Sequence, residues 1–116
     1  MATASIIREH MHIQLNLPMP DEGNEAPFRA DVCRVVAEHG FRFEGRLLVN
    51  IVLYQKDQTK LDIGKKVSVL ISALENAGCF DSEQIHELVV ARQVPKPEAR
   101  CMVIVMPIEW SIPLGD

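Results

Sequence analysis

The chain is poor in aromatic side chains and in positive charge, and both shortages restrict what it can bind. Phe, Tyr and Trp make up 5% of its 116 residues. Because proteins that hold single-stranded nucleic acid commonly stack bases on such rings, a single-strand binder is disfavoured. The formal net charge is −4, whereas proteins that mainly coat a phosphate backbone carry an excess of Lys and Arg. A local basic groove in a dimer, or bound Mg²⁺, could still bring DNA to an acidic chain.

Cysteine is also scarce, and its arrangement matches neither a common metal site nor a disulfide framework. The three cysteines, Cys33, Cys79 and Cys101, have neither CxxC nor Cys/His ligand spacing. The sequence shows no apolar run long enough to span a bilayer and no signal-peptide pattern. We therefore expect reduced thiols in a cytoplasmic protein. Cys33 and Cys101 fall inside predicted elements, where a free cysteine usually acts as a small buried residue.

The motifs of several enzyme classes are missing as well. The sequence contains no Gly-rich phosphate loop, no Gly-x-Ser-x-Gly elbow and no His-Glu-x-x-His pair. His39 stands beside Gly40 at a predicted helix end, where a histidine more often caps the helix than acts as a base. These absences exclude the best-marked hydrolase and nucleotide-binding classes.

What the chain does contain is enough apolar material for one core, since 47% of its residues are hydrophobic. Six segments carry strand or helix periodicity, in the order strand, helix, strand, helix, strand, strand. They are residues 12–17, 27–39, 46–54, 63–77, 85–94 and 101–108. The last two are close enough in sequence to pair as a hairpin.

This order predicts an α+β fold, β-α-β-α-β-β, with one mixed sheet and two helices packed on one face. We expect a single domain over residues 12–110. Residues 1–11 carry no strong pattern and are expected to be a flexible N-terminal extension, with residues 111–116 as a C-terminal tail.

Acidic residues flank the second predicted helix at both ends. Asp62 precedes it, and Asp81 and Glu83 follow it. They could hold a divalent metal, or they could simply cap the helix and its following turn. A helix of about 15 residues spans on the order of 22 Å, so the helix alone cannot bring the two groups together. Both interpretations stay open at this level.

Several local strings carry a family resemblance. Leu17–Pro20 reads Leu-Pro-Met-Pro after the first strand, and Phe28-Arg29 opens the first helix. Ala73–Gly78 reads Ala-Leu-Glu-Asn-Ala-Gly at the end of the second helix, and Gln84-Ile85 begins the next strand. Together with the order of elements, these strings resemble the RusA family of Holliday junction resolvases over about residues 12–108. The family consists of small dimeric Mg²⁺-dependent endonucleases that are carried by phages and prophages and act in DNA recombination and repair.

The resemblance implies a RusA-like fold, a homodimer and a site for Mg²⁺. In the family the second helix opens with Asp-x-Asp-Asn, two residues and Lys, which matches Asp62 and Lys66 here. The resemblance therefore implies Asp62 and Lys66 as catalytic residues, and Asp62, Asp81 and Glu83 as metal ligands. It implies branched DNA as a partner, with neither a membrane nor a small-molecule cofactor.

The departures from the family pattern fall on its chemistry. Lys60 stands where the family has its first Asp, and Ile63 where it has Asn. The turn Phe80–Glu83 is one residue shorter, so the family's third acidic ligand aligns with either Ser82 or Asp81. We therefore expect a degenerate active site with impaired or lost nuclease activity. The alternative is a non-catalytic dimeric binding or regulatory module that engages branched DNA or a protein partner.

Overall fold

The computed structural model describes residues 5–9, 12–21, 23–40, 42–58 and 60–108. These residues form five strands, two helices and one short 3₁₀ turn at Ser82–Gln84. The strands are β1 Ser5–Glu9, β2 His12–Pro18, β3 Leu47–Tyr54, β4 Ile85–Gln93 and β5 Arg100–Pro107, and the helices are α1 Glu25–His39 and α2 Ile63–Asn76.

The strands form one mixed sheet in the order β1-β2-β5-β3-β4. β3 and β4 run parallel, joined by α2, and the other neighbours are antiparallel. The predicted α+β fold with one mixed sheet and two helices is confirmed, and so is the order β-α-β-α-β-β from residue 12 onward.

Two details differ from the sequence-based expectation. Ser5–Glu9, within the segment expected to be a flexible extension, forms the edge strand β1 against β2. The last two strands do not form a hairpin, because β5 lies between β2 and β3 while β4 lies on the far side of β3. The loop between them passes the end of β3. There the backbone N–H of Gln55 donates to the backbone carbonyl of Gln93, and the backbone N–H of Lys96 donates to the backbone carbonyl of Gln55. The predicted tail at 111–116 lies outside the described residues.

The core lies between one sheet face and the helices. Alternate residues of the central strands are buried, as the period of two requires when only one face is covered. The buried positions are Ile13, Leu15 and Leu17 on β2, Leu47, Val49, Ile51 and Leu53 on β3, and Cys101, Val103 and Val105 on β5. The helices add Phe28, Val32 and Val36 from α1 and Leu70, Ala73 and Leu74 from α2.

The core covers β4 only in part: Ile85 and Val90 pack against it, whereas Leu88 is left exposed. Leu88 lies beside Val49 in the β3–β4 register, yet Leu88 is 45% exposed whereas Val49 is fully buried. Val89, on the opposite face of β4, is 50% exposed. Within the described residues, no helix is both long and apolar enough to cross a membrane.

The cysteines divide into two buried residues and one exposed residue. Cys79 and Cys101 are buried in the core, and Cys33 is exposed on α1, so the expectation that Cys33 is buried is wrong. Helical spacing places Val32, Val35 and Val36 toward the sheet and leaves Cys33 on the solvent side. Burial raises the pKa of the Cys79 and Cys101 thiols to about 12.

Truncation of a core leucine on α2 should destabilise the protein strongly. Leu74→Ala is expected to lower the free energy of unfolding by about 2–5 kcal/mol, because the fully buried side chain leaves a cavity against the sheet. Ile63→Ala is the matched control on the same helix: Ile63 is 37% exposed and should cost less than about 1 kcal/mol. Urea unfolding followed by circular dichroism measures both, and equal losses would contradict the packing described.

Thiol reactivity should separate Cys33 from the other two cysteines. Only the thiolate attacks a disulfide reagent, and burial holds Cys79 and Cys101 protonated at pH 8. We expect a chromogenic disulfide reagent to modify Cys33 quickly in the native protein, and all three thiols only after denaturation. The Cys33→Ser variant should lose the fast phase. A fast phase that persists in this variant would show that Cys79 or Cys101 is accessible.

Candidate functional site

A groove of about 560 Å³ lies between the β2–α1 loop and the first turns of α2. Its charged lining residues are Asp21, Glu25, Lys60, Asp62, Lys65 and Lys66. The groove forms because β3 ends at Tyr54 and the chain then turns back into α2, beside the loop that leaves β2. It therefore contains both residues that the family resemblance implies as catalytic, Asp62 and Lys66.

Asp62 is the N-cap of α2. Its backbone is extended, and its Oδ1 accepts a hydrogen bond from the Lys65 amide at 3.0 Å. This satisfies one of the backbone donors that the first turn of a helix leaves unpaired. The predicted cap is confirmed. A capping carboxylate keeps its second oxygen for another partner, so the cap does not by itself preclude a metal.

Lys66 ties the two sides of the groove together. Its Nζ donates a hydrogen bond to the Pro20 carbonyl in the loop after β2. The side chain is half-buried, so the ammonium has a fixed position in the groove wall. Lys65 and Lys66 both lie in the first turn of α2, where the helix dipole opposes cations. For Lys66, the contact with Pro20 supplies a reason outside the helix for that placement.

Lys60, which stands at the first acidic position of the family motif, is exposed at the groove mouth. Among the described residues, no carboxylate lies within ion-pair distance of its ammonium, and in particular Asp62 and Asp81 do not. Lys60 has therefore not simply replaced a metal ion by bridging two carboxylates.

Asp81 and Glu83 lie at the other end of α2. The Asp81 amide donates to Gln84 Oε1 at 2.7 Å, and Asp81 Oδ2 lies 3.4 Å from Arg42 Nη2. The Ser82 amide donates to Glu75 Oε2 at 2.8 Å, which holds the turn against the helix. The Glu83 side chain is exposed in this turn. Asp81 acts as a capping group of the turn, as the alternative interpretation of the sequence described.

The implied ligand set does not come together within one chain. α2 has 14 residues, which separates its ends by roughly 21 Å at the rise of an α-helix. Across the part of the chain that the structure describes, no group of three or more His, Cys, Asp or Glu side chains could hold a metal ion. This holds although Asp21 and Glu25 also line the groove. Mg²⁺ at Asp62, Asp81 and Glu83 stays a prediction.

The β2–α1 loop is the part of the site that sequence reasoning did not assign. Gly23 donates its amide to Asp21 Oδ1 at 2.9 Å, and the Asp21 amide donates to Asn24 Oδ1 at 2.7 Å. Glu25 pairs with Arg29 at 3.1 Å, so its charge is offset on α1. The Asp-x-Gly-Asn spacing typical of side-chain-bonded turns is the sequence signal that could have identified this wall.

The distribution of lysine is the second feature that sequence reasoning missed. Every lysine of the chain lies at the end of the sheet where the parallel strands β3 and β4 finish, which we call the lysine edge. They lie in the loop after β3, at the start of α2, or in the loop after β4. They are Lys56, Lys60, Lys65, Lys66 and Lys96. At the same edge, the Arg100 guanidinium lies 4.1 Å and the Lys96 ammonium 5.8 Å from the centre of the Tyr54 ring. This edge thus holds all the lysines of an acidic chain, together with Asp57, Asp62 and Glu98.

No family model matches the chain, and no curated protein sequence is detectably similar to it. The class defined by fold and site is thus an α+β domain with a lysine-lined groove at the carboxyl end of its parallel strands. Membership of the RusA family rests on the sequence strings alone and stays a prediction.

The role of Asp62 as a cap can be tested through stability. Asp62→Ala should lower the free energy of unfolding by about 0.5–2 kcal/mol, because the Lys65 amide loses its acceptor. Asp62→Asn should leave it nearly unchanged, since asparagine caps as well as aspartate. Equal losses in both variants would show that the negative charge, rather than the hydrogen bond, carries the stabilisation.

Proposed function

We propose that this chain is a RusA-like domain that binds branched DNA through the phosphate backbone and whose junction-cleaving activity is impaired or lost. The observation that carries the proposal is the lysine edge with its groove at Asp62, set against acidic residues held at the far end of α2. The order of elements, which follows the one expected for the family, supports the scaffold.

Three lysines and three carboxylates, Asp21, Glu25 and Asp62, line the groove. The Glu25 charge is offset by its ion pair with Arg29 on α1, which leaves three lysines beside two further carboxylates and gives an anionic ligand a slight advantage. Lys60 and Lys66 are both held at the groove, one exposed and one anchored to Pro20. Phosphate contacts made by such side chains are independent of sequence and weaken as salt rises.

The same arrangement explains why cleavage is expected to be weak. Hydrolysis of a phosphodiester by this chemistry needs two or three carboxylates around Mg²⁺, which activates water and offsets the charge that develops on phosphorus. Within one chain only Asp62 of the implied ligands lies in the groove. Mg²⁺ bound there would supply the Lewis acid; of the implied ligands in this chain only Asp62 would hold it, and Lys66 would contribute a positive charge beside it.

A second candidate, a non-catalytic module that engages a protein partner, is favoured by one observation. β4 exposes Leu88 on one face and Val89 on the other at the edge of the sheet. Large apolar side chains exposed close together are typical of interaction surfaces.

Junction binding should depend on Lys60. Lys60→Glu is expected to weaken binding to a four-way DNA junction by about ten-fold at 100 mM salt. The slope of log affinity against log salt concentration should fall by the equivalent of roughly one to two phosphate contacts. Arg34→Glu, which changes the charge equally on exposed α1, is the matched control. Fluorescence anisotropy with a labelled junction and a linear duplex, at several salt concentrations, measures both.

Cleavage is tested on the same junction with Mg²⁺ or Mn²⁺. We expect little or no product from the wild type. Metal-dependent cutting that Asp62→Asn abolishes would instead establish a working nuclease. A chain that shows neither cutting nor salt-sensitive junction binding would overturn the DNA proposal and leave the protein-partner candidate.

A further inference from the structure

A tyrosine ring with two cations beside it lies on the face of the sheet opposite the helices. Tyr54 and Arg100 are directly opposite each other on the antiparallel strands β3 and β5. Their neighbours Leu53 and Cys101 are buried toward the helices, so the period of two places Tyr54 and Arg100 on the other face. Both residues stand where β3 finishes, and they therefore belong to the lysine edge.

The ring and the backbone hold the two cations in place. The Arg100 guanidinium lies 4.1 Å and the Lys96 ammonium 5.8 Å from the centre of the Tyr54 ring, both within the range of cation–π attraction. The backbone N–H of Lys96 donates to the Gln55 carbonyl, which fixes this loop beside the end of β3. Because both distances are measured to one point, the two like charges are close enough to repel each other, since salt screens such repulsion only beyond about 10 Å.

Within the described part of the chain, no carboxylate lies within ion-pair distance of Lys96 or Arg100. Glu98 stands between them in sequence with its side chain exposed, and it pairs with neither. Arg100 is half-buried, so its charge has also lost part of its contact with water. Two such charges at one ring are stabilised by an anion that contacts both.

We infer that Arg100 and Lys96 bind a phosphate group on this face of the sheet and that Tyr54 positions the guanidinium for it. Stacking engages the flat face of a guanidinium and leaves the N–H groups at its edge available for two parallel hydrogen bonds to phosphate oxygens. Lys96 adds a compact second charge beside them.

The DNA backbone is the source of this phosphate, a step that rests on the proposed function. The groove lies on the helix side of the lysine edge, since Glu25 of α1 and Val69 of α2 line it. Tyr54 and Arg100 lie on the opposite side of the same edge. A backbone that contacts both places passes around the end of the sheet, so the phosphate site is separate from the groove.

Junction binding should depend on Arg100. Arg100→Gln is expected to weaken binding to a four-way junction by about five-fold at 100 mM salt and to lower the slope of log affinity against log salt concentration by roughly one phosphate contact. Arg100→Lys should weaken binding by about three-fold with the slope retained, because lysine keeps the charge and lacks the planar fork. Arg34→Gln, which removes the same charge from exposed α1, is the matched control. Fluorescence anisotropy with a labelled junction measures all three.

The role of the ring is tested by a second pair of variants. Tyr54→Leu keeps both cations and removes the ring, so it should weaken binding by about three-fold with the slope retained. Tyr54→Phe keeps the ring and should match the wild type. Equal affinities of these two variants would show that the ring does not position Arg100.

Inorganic phosphate tests the site without DNA. The Arg100 Nε–H resonance, assigned by its loss in Arg100→Gln, should shift saturably as sodium phosphate is added up to about 50 mM. Sodium chloride of equal ionic strength should not reproduce the shift, and the Arg34 resonance should not show it.

An Arg100 resonance that ignores phosphate overturns the inference. So does Arg100→Gln binding junctions as well as Arg34→Gln does while Lys60→Glu binds them weakly, a result that keeps the proposed function. A saturable phosphate shift in a chain that binds no junction does the reverse: it keeps the site, assigns it to free phosphate and removes DNA as the ligand.

Discussion

The stiffness of α2 is the constraint on which the rest of the site depends. The helix connects two parallel strands, so it must run back along the sheet and deliver its N terminus to the end where β3 finishes. Leu70, Ala73 and Leu74 fix it there by burial. Residues at its first turn, including Asp62 and Lys66, therefore lie at the end of the sheet where the parallel strands finish. Residues after its last turn lie at the opposite end.

The flanking acids consequently serve local structure within one chain. Asp62 caps the helix, and Asp81 accepts Arg42 while its amide is held by Gln84. These contacts involve only part of the acceptor capacity of each carboxylate. Capping and metal binding are therefore compatible for any single residue. What a rigid helix forbids is the meeting of all three in the same chain.

The same crossover explains how an acidic protein can gather its lysines on one surface. The lysines cluster because the loops after β3 and β4 and the start of α2 meet there. Asp57, Asp62 and Glu98 lie in the same segments, and other acids lie on α1, in the turn after α2 and at the beginning of β4. Net charge averages over both ends of the molecule, but a polyanion meets one end at a time, because screening limits charge interactions to about 10 Å.

The sequence by itself determined the elements from residue 12 onward, the buried faces and the cap at Asp62, because period and capping chemistry are local. Only the tertiary structure decided that β5 inserts between β2 and β3, that Ser5–Glu9 joins the sheet and that Cys33 faces solvent. Hairpin proximity favoured the wrong partner for β4 because strand pairing depends on which faces must be buried across the whole sheet. Motif spacing indicated Asp62 and Lys66 as site residues, and both line the groove. The β2–α1 wall and the lysine edge join segments far apart in sequence, and only packing brings them together.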